Sequence, residues 1–349
     1  MFTACCMGAG SIGPGQDFAF ACMRIVFGIM SAVQPAETVA SLVDALGRRH
    51  QILIHHDWSQ QPDFSLIRSN VAYVPEPVRT GWADWGFSEG ILKLVRTAVE
   101  AHDFDYFQLL SPTCMPVRPI LEFEAHLAKT NADYYMDATL LASDPRLLMS
   151  HGWRAYAAKG SFRHRLLRRM RSWSLGPQVE MVNRAGLSFP VSSRIGKKGL
   201  SGLKASVGLG ITSLARQGIG FDHPFSDGFQ CFAGSTWFGA SRRGCEYLLA
   251  RAKDERLLQY FARMHMADEM FFPSILRNSQ LTGGVAPHFV AHFVDARPSW
   301  LQVSDLDQVL NSGCFFARKF PEDPASDVRL ALAQRLSLQQ ELSLQSHAQ

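Results

Sequence analysis

Residues 51–55 read QILIH, and this run ends directly before His56 and Asp57. Apolar runs of similar length stand at residues 24–29 (RIVFGI) and at residues 105–110 (DYFQLL). Short apolar runs rich in β-branched and aromatic side chains are typical of strands that are buried on both faces. The three runs therefore predict the central strands of a sheet.

Helical sequence patterns separate these strands. We predict one helix at residues 38–46 and another at residues 88–101, with Ser88 as its N-cap. Alternating strands and helices predict an α/β domain with a mostly parallel central sheet and helices on both faces. Because ligands bind beyond the carboxyl ends of such strands, we expect residues 55–57 and 111–115 to line a cleft.

The composition suits a chain with a large core. Of its 349 residues 47% are hydrophobic and 19% are charged, which excludes disorder over the whole length. We predict a flexible leader at residues 1–22, one folded domain at residues 23–322 and a polar C-terminal tail at residues 323–349.

Positive charge is concentrated in residues 145–221. This stretch has 14 Lys or Arg and one acid, so its net charge is +13 against −9 for the rest of the chain. Either it is a solvated surface insertion, or it meets an anionic partner. Residues 163–173 predict a basic amphipathic helix suited to peripheral membrane contact. Since no nucleic-acid fold motif is present, we predict no nucleic-acid partner.

Residues 196–220, rich in Gly and Ser, predict a mobile loop.

The seven cysteines exclude a disulfide framework or a zinc site, because their number is odd, their spacing is irregular and no CxxC occurs. The cysteine pattern therefore predicts that the protein resides in a reducing compartment.

The sequence lacks an apolar run of about 18 residues, so no membrane span is predicted. We expect a cytoplasmic protein, peripheral at most on the inner face of a membrane.

An Asp-x-Asp sequence at Asp103 and Asp105 raises the question of a metal. Such acids could hold a divalent cation, but here they precede the strand at residues 106–110 and should lie at the sheet edge opposite the cleft. The cleft end of that strand has no carboxylate. A capping or surface role is expected, and we predict no metal-binding Asp-x-Asp motif, no metal site and no cofactor.

Two further pairs of residues could carry chemistry. Asp268 and Glu269 precede an aromatic helix, where they either interact favourably with the helix dipole or provide Glu269 as a general base. His265 and Glu269 also have the spacing of metal ligands, but no third ligand is near. Arg318 and Lys319 either point to solvent from a strand or form a clamp for a diphosphate.

Six segments occur in an order that matches one enzyme family. They are residues 54–57 (IHHD), 85–88 (WGFS), 104–111 (FDYFQLLS), 234–238 (GSTWF), 268–279 (DEMFFPSILRNS) and 316–320 (FARKF). Together they resemble the core-2/I-branching β-1,6-N-acetylglucosaminyltransferases and peptide O-xylosyltransferases, family 14 of the glycosyltransferases. The resemblance covers about residues 23–320.

This resemblance implies a GT-A-like fold and a metal-independent, inverting transfer. The sugar, GlcNAc or xylose, would pass from a UDP-sugar to a hydroxyl of a glycan or glycoconjugate, with Glu269 as the catalytic base. The donor nucleotide and diphosphate would be bound by Asp57, His55, Arg297, Arg318 and Lys319. Substrate contacts would come from Trp85, Ser235, Trp237 and Asp268.

One departure concerns Cys114, which stands where the family usually has an Asp after the Leu-Ser strand. The substitution and the basic stretch leave an alternative open. The chain would then be a non-catalytic protein on the same scaffold that binds a sugar nucleotide or a polysaccharide.

Overall fold

The computed structural model describes residues 23–143, 145–171, 179–184, 187–192, 202–284, 288–290, 293–294 and 297–346. The predicted leader at residues 1–22 lies outside them. The strands are β1 (Ile25–Ser31), β2 (Gln51–His56), β3 (Val71–Tyr73), β4 (Tyr106–Leu110), β5 (Met115–Pro116), β6 (Tyr134–Tyr135), β7 (Ala138–Leu140), β8 (Val179–Arg184), β9 (Leu187–Ser192), β10 (Phe232–Gly234), β11 (Gly239–Ser241), β12 (Gly283–Gly284), β13 (His288–Val290), β14 (Phe293–Val294), β15 (Arg297–Pro298) and β16 (Phe316–Arg318). The helices are α1 (Ala36–Leu46), α2 (Trp85–Ala101), α3 (Ile120–Thr130), α4 (Pro145–Ala155), α5 (Phe162–Met170), α6 (Gly202–Arg216), α7 (Arg242–Arg251), α8 (Glu255–Phe261), α9 (Asp268–Arg277), α10 (Leu306–Leu310) and α11 (Asp327–Ser346).

The largest sheet has the strand order β12-β6-β11-β4-β1-β2-β3. β1 runs parallel to β2 and β4, and β2 runs parallel to β3, whereas β11 is antiparallel to both of its neighbours. Every residue of β1 and β4 is buried, which explains why these strands read as continuous apolar runs. The predicted α/β class with a mostly parallel central sheet is confirmed.

Successive side chains of β1 enter two different cores. Ile25, Phe27 and Ile29 pack in the core that includes residues of α1 and α3. Val26 and Met30 pack in the core that includes residues of α2, α7 and α9. Since neighbouring side chains of a strand point to opposite faces, helices cover both faces of the sheet, as predicted.

The parallel register brings the carboxyl ends of the central strands to one edge. Ser31 at the end of β1 lies opposite His56 at the end of β2, and Ile29 lies opposite Leu110 at the end of β4. Residues 55–57 and 111–115 therefore meet at the same edge of the sheet, where the cleft was expected.

Two local predictions from the sequence are wrong. α2 begins at Trp85 after Asp84, so Ser88 lies inside the helix, and its hydroxyl oxygen is buried without a hydrogen-bond partner among the described residues. Much of residues 196–220, predicted to be a mobile loop, belongs to helix α6. Its Ala215 is fully buried in the core, so tertiary packing outweighs the helix-breaking tendency of the glycines.

The basic stretch at residues 145–221 contributes to the core through α4 and α5. Leu148, Trp153, Tyr156, Leu167 and Met170 are buried in the same core as α2 and α9. For these two helices, the interpretation as a solvated insertion is therefore wrong.

The segment predicted as a polar tail contains α11, which packs onto the core that includes residues of α1 and α3. Val328 and Leu332 are buried there. Arg329 is 3% exposed; its Nε donates to the backbone oxygen of Pro321 at 2.7 Å, and a terminal nitrogen donates to Ser41 Oγ at 3.1 Å. Within the described part of the chain, no helix combines the length and apolarity needed to cross a bilayer.

Candidate active site

The turn between β10 and β11 lies at the carboxyl end of β4. The backbone nitrogen of Leu109 donates to the oxygen of Phe238 at 2.9 Å, which fixes the end of this turn against the strand. Ser235 Oγ accepts from the nitrogen of Trp237 at 3.3 Å. Both predicted substrate residues of this segment, Ser235 and Trp237, therefore lie at the predicted cleft edge of the sheet.

β16 brings Arg318 and Lys319 to the same edge. It pairs antiparallel with β5, which follows β4, and the nitrogen of Phe320 donates to the oxygen of Thr113 at 2.9 Å. The Arg318 guanidinium carbon lies 4.8 Å from the ring centroid of Trp237. This is a cation–π contact.

Aromatic rings support both cations. Nε of Arg318 is buried without a hydrogen-bond partner among the described residues, and burial lowers the pKa of this guanidinium. Lys319 Nζ lies 3.8 Å from the ring centroid of Trp300, and burial together with the charge of Arg318 lowers the pKa of Lys319. In the described part of the chain, neither cation forms a salt bridge. A buried donor without an acceptor is costly, so an incoming anion would be favoured here.

The acidic pair stands in the first turn of α9. Thr236 Oγ1 donates a hydrogen bond to Asp268 Oδ2. Burial, and then the charge of Glu269, raise the pKa of Asp268 to about 6, although the bond from Thr236 opposes the shift. Glu269 Oε2 accepts from a terminal nitrogen of Arg154 at 2.7 Å. Both acids are therefore engaged by other elements of the fold, beyond any interaction with the helix dipole.

Consecutive residues connect the acidic pair with the cation pair. Thr236 binds Asp268, and the next residue, Trp237, carries Arg318 on its ring. The two motifs that are about 50 residues apart in sequence thus meet at a single turn. Arg318 and Glu269 belong to one continuous group of contacting residues.

Arg154 was not predicted as a site residue. It lies on α4 and is 5% exposed, while the Glu269 side chain is 31% exposed. The only sequence signal was the excess of positive charge around it, and 14 cations share that signal. Which of them pairs with an acid on a distant helix depends on how the fold positions α4 relative to the first turn of α9.

Asp57 is 3% exposed, and its carboxylate is used within the protein. Oδ1 accepts from the nitrogen and hydroxyl of Ser59 at 3.0 and 2.6 Å, and Oδ2 accepts from Gln60 Nε2 at 2.7 Å and Thr80 N at 2.6 Å. Burial alone would raise its pKa, but these hydrogen bonds outweigh burial and hold the pKa of Asp57 well below its usual range. Asp57 thus fixes the loop after β2 to the segment before α2.

His55, predicted to contact the nucleotide, lies fully inside the protein. It is 0% exposed, and its Nε2 accepts from the backbone nitrogen of Val78 at 3.1 Å. Burial lowers the pKa of His55 to about 4, so the ring is neutral near pH 7. A direct contact with a ligand is not possible from this position, which corrects that prediction: His55 supports the cleft from behind.

Trp85 and Arg297, two further predicted site residues, lie on α2 and β15. Trp85 begins α2, and its ring meets the edge of Phe271 on α9 at a centroid distance of 5.2 Å. Trp85 is half-buried, and the residue that it contacts, Phe271, follows Glu269 by two positions. Only the backbone of Arg297 is described, in β15, so the prediction for its side chain falls outside the described residues.

Cys114 is buried beside the cation pair. Its Sγ accepts from the nitrogen of Ser111 at 3.3 Å and lies 3.2 Å from the hydroxyl oxygen of the same residue. Burial raises the pKa of the thiol, although Arg318 and Arg329 act in the opposite direction. The thiol is therefore uncharged near pH 7 and adds no carboxylate to the cleft.

The Asp-x-Asp acids lie at the opposite edge of the sheet, before β4. Arg24 forms salt bridges with both Asp103 and Asp105. This pairing fits the surface role predicted for them. Among the residues that the structure describes, no group of three or more His, Cys, Asp or Glu side chains could hold a metal ion.

Comparison with known proteins gives no family assignment. No family model and no curated protein matches the chain. Among solved structures, the chain is similar to the galactosyltransferase LgtC in complex with donor and acceptor sugar analogues. The match covers 89% of this chain and 94% of that chain, with 9% sequence identity and a TM-score of 0.38. A likeness of this size does not establish a shared activity.

Proposed function

We propose that the chain is an inverting, metal-independent glycosyltransferase that transfers a sugar, GlcNAc or xylose, from a UDP-sugar to a hydroxyl of a glycan or glycoconjugate. The supporting observation is the turn at Thr236 and Trp237. Thr236 binds Asp268, the residue before Glu269, and Trp237 carries Arg318 on its ring. These contacts support a site in which Glu269 is the base and Arg318 is a cation for the leaving group.

Glu269 is the base in this proposal. It accepts the proton of the acceptor hydroxyl while the hydroxyl oxygen forms a bond to the anomeric carbon. The bond from that carbon to the diphosphate breaks, and its electron pair leaves with UDP. Because the hydroxyl oxygen attacks from the face opposite the diphosphate, the configuration inverts. Oε1 of Glu269 has no hydrogen-bond partner in the described part of the chain, and the side chain is 31% exposed. A positioned base contributes roughly 10²–10⁴-fold to the rate.

Arg318 and Lys319 would neutralise the charge that grows on the leaving diphosphate. Arg318 offers a buried Nε donor that lacks an acceptor, and Lys319 offers a compact charge held on Trp300. Asp57 would act on the nucleotide indirectly, through the loop that its hydrogen bonds hold in place.

The test replaces Glu269 by Gln and measures UDP release from UDP-GlcNAc and UDP-xylose with a glycan acceptor. Most turnover should disappear, while the binding of UDP, followed by calorimetry, remains. Glu255→Gln is the matched control, because Glu255 stands in the first turn of another helix, α8. Near-normal turnover in Glu269→Gln would refute the assignment.

The same assay separates the remaining alternatives. Turnover should persist in excess EDTA; complete loss would bring Asp103 and Asp105 back as metal ligands. A non-catalytic sugar-nucleotide binder would bind UDP but release none from a UDP-sugar.

We further propose a cytoplasmic location, because Cys114, Cys231, Cys245 and Cys314 are buried free thiols. Peripheral membrane contact through residues 163–173 is a separate proposal, which vesicle binding would test.

A further inference from the structure

A cationic and aromatic surface lies beside Glu269, formed by α4, α5 and the turn before α9. Two of its cations pack on the indole of Trp153, which is itself buried at 7% exposure. The guanidinium carbons of Arg168 and Arg171 lie 5.5 and 5.7 Å from the centroid of this ring. His265, four residues before Glu269, packs on the same ring at 5.7 Å. We call Trp153, Arg168, Arg171 and His265, together with Trp82, the Trp153 surface.

The Trp153 surface carries positive charge that the described residues do not compensate. Arg154, the neighbour of Trp153, is paired with Glu269, but Arg168 and Arg171 have no carboxylate partner in the described ranges. Burial, and then the charges of Arg154 and Arg168, lower the pKa of Arg171. Within the described ranges, Glu269 is the one acid that forms a salt bridge with any of these three guanidinium groups. Because the three groups repel one another, an external anion would bind favourably here.

Part of the surface is open to large ligands. Arg168 is exposed, Trp82 is 78% exposed, and the ring centroids of Trp82 and His265 lie 5.9 Å apart in an edge-to-face arrangement. An exposed indole offers a flat apolar face on which a sugar ring can pack, and the guanidinium forks offer paired donors to a carboxylate. These are the two kinds of group that a charged polysaccharide presents.

We propose that the Trp153 surface binds the acceptor, and that this acceptor is a glycan that carries carboxylates, such as a polyuronate. The inference rests on the proposed function, since it takes Glu269 as the base that the acceptor hydroxyl must reach. The pair Arg154–Glu269 joins the surface to that base at 2.7 Å. Arg168 and Arg171 are then specificity-determining residues that select acidic over neutral acceptors.

A membrane surface fits the same cations less well. An interfacial helix needs an apolar face directed at the lipid. On α5 the apolar side chains of Leu167 and Met170 are buried in the core, and Phe162 is the large apolar side chain that remains exposed, at 71%. The apolar face that anchoring would require is therefore already used for folding.

The test measures the binding of two oligosaccharides to the full chain by calorimetry at low salt. One is a hexameric oligogalacturonate, and the other is its carboxyl-reduced counterpart. The charged hexamer should bind at least roughly tenfold more tightly, and this advantage should shrink as salt is raised. Arg168→Gln combined with Arg171→Gln should remove most of it. Arg163→Gln is the matched control, because Arg163 lies on the same helix but contacts Phe221.

Each result decides the proposal. Equal affinity for the two hexamers, or an equal loss in the control and in the double variant, overturns it. Binding to vesicles of phosphatidylserine but not to the charged hexamer overturns it in favour of a membrane role for α5. If the double variant does not fold, Arg168→Gln alone provides the answer, because that side chain is exposed. Charged-hexamer binding without any UDP release supports the acceptor surface and contradicts the proposed function, whereas UDP release without such binding does the reverse.

Discussion

The guanidinium of Arg154 lies 2.7 Å from the carboxylate of Glu269, although 115 residues separate them in the sequence. The pair ties α4, from the basic stretch, to the first turn of α9. One oxygen of the acid is held by this contact. The Arg154 side chain is 6% exposed and the Glu269 side chain 31% exposed, so the pair stands at the boundary between the core and the cleft.

Replacing Arg154 by Met should lower the free energy of unfolding by about 1–3 kcal/mol, less than for a fully buried pair because Glu269 is partly open to solvent. Arg154→Lys should restore part of the loss, since it keeps one charge but not the fork. Urea unfolding measures both. A double-mutant cycle with Glu269→Gln should give a coupling energy of at least about 0.5 kcal/mol; strictly additive effects would show that the contact contributes nothing.

Replacing Trp237 by Leu should weaken the binding of UDP by about 2- to 30-fold, because the ring that positions Arg318 is lost. Trp237→Phe keeps an aromatic face and should retain most of the affinity. Calorimetric titration with UDP distinguishes these variants. Unchanged affinity in Trp237→Leu would mean that Arg318 does not need this ring to meet the diphosphate.

The pKa of Asp268, raised to about 6 in the folded protein, makes stability depend on pH. The folded state holds a proton that the unfolded state has released, so the contribution of Asp268 becomes less favourable as the pH rises from about 4 to about 6. Asp268→Asn should therefore gain stability relative to the natural protein over this interval, by up to about 3 kcal/mol. Urea unfolding at several pH values from 4 to 7.5 measures this, and a difference that does not change with pH would contradict it.

Asp57→Ala should destabilise the protein by about 2–3 kcal/mol at pH 7, because the donors of Ser59, Gln60 and Thr80 lose their acceptor. Since the folded protein lowers the pKa of Asp57, this stabilisation is present above pH 4 and is lost on acidification below it. Asp63→Ala, at an exposed position of the same segment, is the control. Thermal unfolding at pH 7 and pH 3 provides the comparison. Similar effects of the two changes at pH 7 would show that Asp57 does not hold the loop.

The central sheet could be predicted from the sequence because its signals are local. β1, β2 and β4 are continuous apolar runs, and strands covered on both faces must be of that kind. The start of α2 could not, since Ser88 has the character of an N-cap but is buried by tertiary packing four residues beyond Asp84. Where packing decides, a capping preference of about 1 kcal/mol is too small to fix the boundary.

Part of the candidate site could also be proposed from local sequence signals. The acidic pair and the cation pair are short, unusual combinations that can be recognised without knowledge of the fold. Arg154 is not part of a recognisable short motif, because its salt bridge with Glu269 forms only when the fold brings α4 to the first turn of α9. His55 shows the opposite case, a polar residue at the correct end of a strand whose side chain turns into the core.

The position of Arg329 has a practical consequence for anyone who shortens this protein. Its guanidinium reaches from the last helix to Ser41 on α1 and to the backbone of Pro321, and Val328 and Leu332 fill the adjacent interior. A truncation after residue 322, which the composition of the sequence invites, would expose this part of the interior to water and deprive Ser41 of its donor. An expression boundary should therefore follow the apolar half of α11, at residue 336 or beyond, where the interior contacts of that helix end.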